Sequence, residues 1–237
     1  MGALLVFLLV DDPETTEPTA APLRLAIRAH DGEHRLDPIF ALGLVTLVMA
    51  ACISLLGSIE PQVNERLGQD ARWFGIQFGV FILSLAATQP LIGSLSDRWG
   101  RKPFILFGTL LLVPTTLAQG LVTTPWTMLF ARLAQGIAGA MVFSPALALA
   151  GDLARRGESG LQLSILTMAF GIGLSIGQLL SGFLVGWGYV VPFATGATLA
   201  LIAAVLVRTE VEEPPRATGA PPGERDGTCT PVGSTRT

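Results

Sequence analysis

Six long apolar stretches, separated by short polar or glycine-bearing segments, dominate the chain. They cover residues 38–59, 73–95, 103–122, 126–150, 161–185 and 190–207. Each is close to the roughly 20 apolar residues that a helix needs to cross a bilayer. None shows the alternation of apolar and polar residues that a membrane barrel strand requires. The pattern therefore predicts an all-α integral membrane protein with six transmembrane helices over residues 38–207.

The segments outside these stretches differ in character. Residues 1–10 are apolar but too short to span a bilayer, and they lack the basic start of a signal peptide. They are either a surface-lying start or the end of a helix whose earlier part is missing. Residues 11–37 are polar and contain three prolines, which favours a linker. Residues 208–237 are rich in Pro, Gly, Thr and Arg, and we expect a disordered tail there.

The distribution of charge predicts the orientation in the membrane. Only 14% of residues are charged, against about 25% in soluble domains. The segments 96–102 and 151–160 carry five basic residues, whereas the opposite connections carry Arg66 and Arg72. The positive-inside rule therefore predicts that the richer segments are cytoplasmic. Six spans then place both termini there, in a multi-pass protein of the cell membrane.

Composition argues against several other classes. The net charge of −3 gives no basic surface for nucleic acid. Both histidines, His30 and His34, precede the first apolar stretch, and the two cysteines lie far apart in the chain. We see no nucleophile–base pair, metal-ligand cluster or phosphate-binding loop in the apolar stretches. We therefore expect no enzyme activity, no cofactor and no metal.

The segment between the second and third stretches carries the most specific motif. Residues 93–102 read Gly-Ser-Leu-Ser-Asp-Arg-Trp-Gly-Arg-Lys. Gly93 favours close helix approach, and Asp97 stands where a carboxylate would meet the free N–H groups of the next helix. The segment resembles the signature loop of the major facilitator superfamily. The matching positions are Gly93, Leu95, Asp97, Arg98, Gly100, Arg101 and Lys102.

This resemblance implies a fold and a role. The fold is one half of a major facilitator transporter, six helices arranged as a 3+3 inverted repeat. In the family the loop is a conformational latch that breaks as the transporter changes state; the alternative is a simple topology anchor. Asp152 matches an acidic position that the family often has after its fourth helix. It either pairs with Arg98 or Arg101, or it is a solvated carboxylate.

A second motif lies in the fourth stretch, where Arg132, Gln135 and Gly136 resemble a family pattern associated with proton coupling. An arginine at the centre of a span costs about 2.5 kcal/mol or more on insertion scales. Arg132 should therefore face the bundle interior or a water-filled cavity. The alternative is an arginine that extends to the outer interface, since it lies six residues after Trp126.

The fifth stretch is rich in glycine. Gly173 and Gly177, and likewise Gly182 and Gly186, are Gly-x-x-x-Gly pairs, which favour close helix contact. Drug antiporters of the superfamily carry a Gly-Pro-x-x-Gly-Gly run here, whereas this chain has Gln178 in place of the proline. The difference weakens the case for antiport. Gln178 either faces a substrate path or makes a helix–helix hydrogen bond.

Two polar residues lie next to prolines inside stretches. Gln89 precedes Pro90, and Ser144 precedes Pro145. Interrupted helices beside polar groups mark a transport path in some transporters. In others they are kinks whose backbone groups are satisfied by neighbouring helices.

The resemblance implies transport of a small-molecule substrate by alternating access, with proton-coupled efflux as the expected form. A complete transporter has two six-helix halves, so we expect this chain to need a second half or a homodimer partner, besides the lipid bilayer. The motifs at 93–102 and at Arg132 favour the first half. The apolar start and the linker favour the second half, which we prefer. The alternative function is a truncated or split-gene membrane protein without independent transport.

Overall fold

The computed structural model describes residues 38–153 and 159–211 as a helical bundle with short connections. The helices are α1 (Pro38–Ser54), α2 (Glu60–Leu67), α3 (Ala71–Trp99), α4 (Arg101–Leu121), α5 (Pro125–Leu153), α6 (Ser159–Leu184) and α7 (Val191–Glu210). Within these residues, six helical segments are long and apolar enough to cross a membrane. The predicted fold class is therefore confirmed. The predicted apolar start and linker, Arg155, Arg156, and the tail from residue 212 lie outside the described residues.

Several helices are longer than the apolar stretches that predicted them. α3 runs to Trp99 instead of residue 95, and α5 runs to Leu153 instead of residue 150. α7 continues to Glu210, into the region predicted as a tail. The reason is that polar residues continue a helix as readily as apolar ones. A 29-residue helix is roughly 43 Å long, so its ends extend beyond a hydrocarbon layer of about 30 Å.

The short helix α2 was not predicted. It lies in a polar part of the sequence, but Ile59, Val63 and Leu67 recur at a helical spacing and are all buried. They pack with Phe193 and Met128 into a small apolar cluster. The first membrane segment is therefore interrupted, with α1 ending at Ser54 and α2 completing the segment after a 3₁₀ turn.

Aromatic residues mark the two ends of the bundle. Trp73 and Trp126 make an edge-to-face contact with ring centroids 4.9 Å apart. Trp187 lies in the connection between α6 and α7, at the same end of the bundle by helix order, and is exposed. Trp99 is exposed at the other end, beside the motif of residues 93–102. Tryptophan is enriched at membrane–water interfaces. Below, the end that carries residues 97–102 is called the signature end, and the other is called the opposite end.

The helices are held together by close contacts between particular pairs. α1 packs against α6 and α7, α5 packs against α3 and α4, and α4 packs against α7. The shared apolar core includes Leu42, Met49, Phe81, Leu112 and Leu149. By contrast, α3 and α6 expose large apolar side chains, such as Leu83 and Phe183. These two helices therefore present apolar faces outward, as expected for a surface that meets lipid or another helical unit.

Candidate functional site

A salt-bridge cluster joins three helices at the signature end. Arg101, the first residue of α4, binds Asp97 of α3 with Nη2 3.1 Å from Oδ1. Its Nη1 donates to Oδ2 of Asp152 near the end of α5. Arg101 is mostly buried, whereas both carboxylates are more than half exposed. The structure therefore brings Asp97, Arg101 and Asp152 together, as the pairing interpretation of Asp152 requires.

The other basic residues of the motif have different surroundings. Lys102 donates from Nζ to the backbone oxygen of Arg208, at 3.1 Å. That carbonyl belongs to the last turn of α7, where backbone oxygens lack helical partners and attract cations. Arg98 is exposed, with no ion pair or hydrogen bond to a described residue. The motif thus connects α3, α4, α5 and α7, and the contact to α7 had no signal in the sequence.

The expected loop and helix cap at Asp97 are corrected by the structure. Only Gly100 is non-helical, because its φ of +106° ends α3 and allows α4 to begin at Arg101. Asp97 lies in the last turn of α3, and no side chain caps the start of α4. The chain stays helical because glycine alone provides the turn. Gly93 does serve close packing, since a Cβ there would lie 3.2 Å from Ser144 Oγ.

Arg132 lies inside the bundle and interacts with the end of α1. Its side chain is 1% exposed, and its Nη1 donates to the oxygens of Ile53 (3.3 Å) and Gln135 (2.8 Å). Gln135 in turn donates to the carbonyl of Cys52 at 3.2 Å. The last carbonyls of a helix lack intrahelical partners. Arg132 and Gln135 therefore cap α1 where it stops inside the membrane segment.

The capping geometry also accounts for a buried cation. The guanidinium lies at the negative end of the α1 dipole, and its Cζ is 5.4 Å from the centre of the Phe81 ring. Its Nε has no hydrogen-bond partner among the described residues. Arg132 therefore does not extend to the interface. A role in proton coupling stays a prediction.

Arg132, Gln135 and Gly136 are all buried between the helices of this bundle, and their assignment to proton coupling or a cavity stays a prediction. Gly136 allows α5 to touch α3. A Cβ at this position would lie 1.9 Å from Ser84 Oγ and 2.5 Å from the backbone oxygen of Phe81. Even alanine is too large there. The small residue after the arginine therefore serves helix packing.

The glycines of α6 divide into two groups. A Cβ on Gly173 would lie 2.3 Å from the Leu47 oxygen, and one on Gly177 would lie 2.2 Å from the Ala51 oxygen. These two permit backbone contact between α6 and α1. A Cβ on Gly182 would have its nearest neighbour 3.9 Å away, and one on Gly186 would meet open space. The second pair therefore makes no tight contact with the described residues, and its role in helix packing stays a prediction. Gly182 lies beyond the end of α1, beside the 3₁₀ turn that contains Ser58.

Gln178 is exposed on α6. Its backbone oxygen accepts a hydrogen bond from Ser58 Oγ at 2.8 Å, and Ser58 also meets Ser181 Oγ at 2.5 Å. The link between α6 and the first segment therefore runs through the serines and not through the glutamine amide.

An open groove lies between α3 and α5. It has a volume of about 370 Å³, within the range of roughly 300–1,000 Å³ typical of ligand sites. Its lining residues are Gln89, Phe143, Ser144, Leu147 and Ala148. The sequence pointed to Gln89 and Ser144 through their neighbouring prolines. The apolar lining was missed, since nothing distinguishes Phe143 from other apolar residues of the stretch.

A polar cluster at the opposite end fixes the connection between α6 and α7. Arg66 of α2 lies over the ring of Tyr189, 4.5 Å from its centre. The Tyr189 hydroxyl donates to the backbone oxygen of Gln119 on α4, at 3.3 Å. Burial raises the pKa of Tyr189 to about 12, although the nearby arginines oppose the shift. The phenol is therefore neutral at physiological pH.

Comparison with known families agrees with this architecture. The profile of the Major Facilitator Superfamily matches residues 42–235, which is most of the chain. The chain belongs to the Major Facilitator Superfamily. The match confirms the resemblance drawn from residues 93–102. It also identifies the bundle as part of a membrane transporter fold with six membrane-crossing helices.

Individual relatives are similar over part of their length. Multidrug resistance protein 2 of Bacillus subtilis is 29% identical over 65% of this chain and 38% of its own length. An uncharacterised MFS-type transporter of Methanocaldococcus jannaschii is 30% identical, over 74% and 46% respectively. Tetracycline resistance protein, class H, of Pasteurella multocida is 29% identical, over 74% and 45%. The chain thus spans less than half the length of these relatives.

Proposed function

We propose that this superfamily member takes part in the transport of a small solute across the cell membrane by alternating access, as proton-coupled efflux. The six-helix bundle supplies one wall of the transport cavity. A second transporter half, or a second copy of the chain, supplies the other wall. The names of the multidrug and tetracycline resistance relatives favour efflux.

The observation that carries the proposal is the salt-bridge cluster of Asp97, Arg101 and Asp152. One guanidinium holds the signature ends of α3 and α5 together through two exposed carboxylates. Exposed ion pairs are each worth about 0–1 kcal/mol, so the cluster is weak enough to open repeatedly. A bond that opens at little cost suits a latch in a protein that alternates between two states. A permanent structural link would instead be buried.

The proposal includes an orientation and a role for Arg132. The signature end is cytoplasmic, because its basic residues outnumber those of the opposite end. α7 ends beside the signature, where Lys102 donates to the Arg208 oxygen, and we place both termini in the cytoplasm because an even number of spans returns the chain to its starting side. Arg132 stays protonated at physiological pH. In proton coupling it would therefore supply a fixed positive charge, with the exchanging group elsewhere.

Flux in proteoliposomes tests the proposal, with tetracycline as the probe and an imposed pH gradient. We expect gradient-dependent tetracycline movement when the chain is reconstituted as a dimer or with its second half. Asp97→Asn should abolish most of it while insertion is unchanged, because the substitution removes one latch charge and keeps the shape. Glu65→Gln is the matched control, since it removes a carboxylate that is exposed on α2 at the opposite end. Wild-type flux in Asp97→Asn would refute the latch.

The second candidate function is a truncated or split-gene membrane protein without independent transport. It is favoured by the match to less than half of each relative's length. Mass measurement of the purified chain separates the two possibilities. A stable dimer that moves tetracycline supports the first. A monomer that is inert alone but active with a second half identifies a split transporter, and a chain inert in both settings supports the second.

A further inference from the structure

The groove between α3 and α5 has a free hydrogen-bonding group. The Ser144 hydroxyl donates to the backbone oxygen of Gln89 at 3.4 Å. The amide of the Gln89 side chain makes no hydrogen bond to a described residue and lines the groove. An amide offers two donors and an acceptor. Inside a membrane segment water is scarce, so an unpaired amide is costly and a ligand that hydrogen-bonds to it removes that cost.

The remaining lining is apolar and includes an aromatic ring. Phe143 and Leu147 contribute from α5. Phe143 also contacts Phe170 of α6, with ring centroids 5.2 Å apart, which holds the ring in place. Aromatic pairs prefer such tilted or offset arrangements. The groove therefore presents one polar group beside a flat apolar surface.

The groove has no charged lining residue, and the carboxylates of Asp97 and Asp152 lie beyond it on the same two helices. Asp97 and Asp152 lie two helical turns beyond Gln89 and Ser144, on the same helix faces. Both carboxylates are bound to Arg101. A cationic molecule in the groove would find no counter-charge among the lining residues, and burying an unpaired charge is costly.

We propose that this groove binds an uncharged, aromatic, amphipathic small molecule, hydrogen-bonded by the Gln89 amide and lying against Phe143. The proposal rests on the transport function, since such a molecule would be the substrate. Gln89 lies inside α3, 10 residues or roughly 15 Å from its last residue. Substrate sites of transporters lie near the bilayer midplane. The volume of the groove, its depth in the membrane segment and the unpaired amide of Gln89 all favour such a small amphipathic ligand.

Equilibrium dialysis against the purified full chain in detergent tests the groove, with empty micelles as background. The probes share one ring system: 2-naphthamide is neutral, (2-naphthylmethyl)trimethylammonium is cationic and 2-naphthoate is anionic. We expect the neutral probe to bind most tightly. Gln89→Leu should weaken its binding about tenfold, the effect of one or two lost hydrogen bonds. Gln62→Leu, on the exposed side of α2, should leave binding unchanged.

Gln89→Glu keeps the shape and adds a carboxylate at the groove. It should reverse the preference, with the cationic probe bound more tightly than 2-naphthamide. Tighter binding of the cationic probe by the unsubstituted chain, or unchanged 2-naphthamide binding in Gln89→Leu, would overturn the proposal. The two proposals fail separately. Selective naphthamide binding without gradient-dependent flux of either tetracycline or 2-naphthamide would leave the groove and remove the transport function. Flux of 2-naphthamide that is indifferent to Gln89 would do the reverse.

Discussion

The contact between α1 and α6 depends on Gly173 and Gly177, and Gly177→Ala measures the contribution of one of them. The added Cβ would lie 2.2 Å from the Ala51 oxygen and 2.2 Å from Ser54 Oγ. Ordinary contact begins at 3.4 Å, so the helices must separate by about 1.2 Å, enough to lose a large part of the dispersion energy between them. The serine can rotate away, but the backbone oxygen cannot.

The magnitude follows from two opposing effects. Overpacking costs about 1–3 kcal/mol, and a clash with backbone belongs at the upper end. Alanine gains up to about 1 kcal/mol over glycine in a helix. We therefore expect Gly177→Ala to lower the free energy of unfolding by about 2 kcal/mol. Gly182→Ala makes the same change five residues along α6, where the nearest atom is 3.9 Å away. It should leave stability unchanged or raise it slightly.

The assay is unfolding of the purified chain in mixed micelles of rising sodium dodecyl sulfate content, followed by circular dichroism. Both variants and the unsubstituted chain are compared at the same measured oligomeric mass, so that association does not enter the difference. Equal unfolding midpoints for Gly177→Ala and Gly182→Ala would refute the reasoning from close packing.

Three further predictions concern other parts of the bundle. Arg132→Ala should insert into membranes at least as well as the unsubstituted chain, because it removes a charge, and a glycosylation-based insertion assay would check this. Its free energy of unfolding should fall by about 1.5–3 kcal/mol through loss of the arginine's hydrogen bonds, as measured by the same unfolding assay. Poorer insertion would contradict the burial argument. Tyr189 has its pKa raised from 10.0 to about 12, so between these values only the unfolded state loses the proton and stability should fall as pH rises; Tyr189→Phe should lack this fall in pH-dependent melts. Trp99→Cys should react with an impermeant maleimide from the cytoplasm and Trp187→Cys from outside; the opposite pattern would overturn the orientation.

The number of membrane-crossing segments was predictable because lipid constrains the sequence of each one. A segment that crosses the bilayer must be helical and apolar over its length, so six apolar stretches become six membrane segments. The ends of α3 and α7 were not predictable in the same way, because lipid stops constraining the sequence at the interface. α2 did carry a signal, the spacing of Ile59, Val63 and Leu67, but it was short and lay among polar residues.

The site was predictable where the motif itself contains the partners. Asp97 and Arg101 are four residues apart in the chain, and the tight turn at Gly100 between them keeps their side chains within reach of each other. Gly177 and Gly182 show the opposite case, because both belong to Gly-x-x-x-Gly pairs and only one faces α1. Which face of a helix meets a neighbour depends on crossing angles that one sequence does not contain. The groove beside Gln89 arises between two helices and has no sequence pattern of its own.

The capping of α1 by α5 also sets an order in time. The end of α1 is completed by Arg132, which lies 79 residues later than Ile53 in the chain. At a synthesis rate of about 5–20 residues per second, the ribosome needs roughly 4 to 16 s to make that intervening length. During this interval the carbonyls of Cys52 and Ile53 lack the hydrogen bonds that Gln135 and Arg132 later donate to them. The end of α1 is therefore completed only when the helix that carries Arg132 lies beside it, so the folding of α1 in the membrane depends on the later insertion of α5.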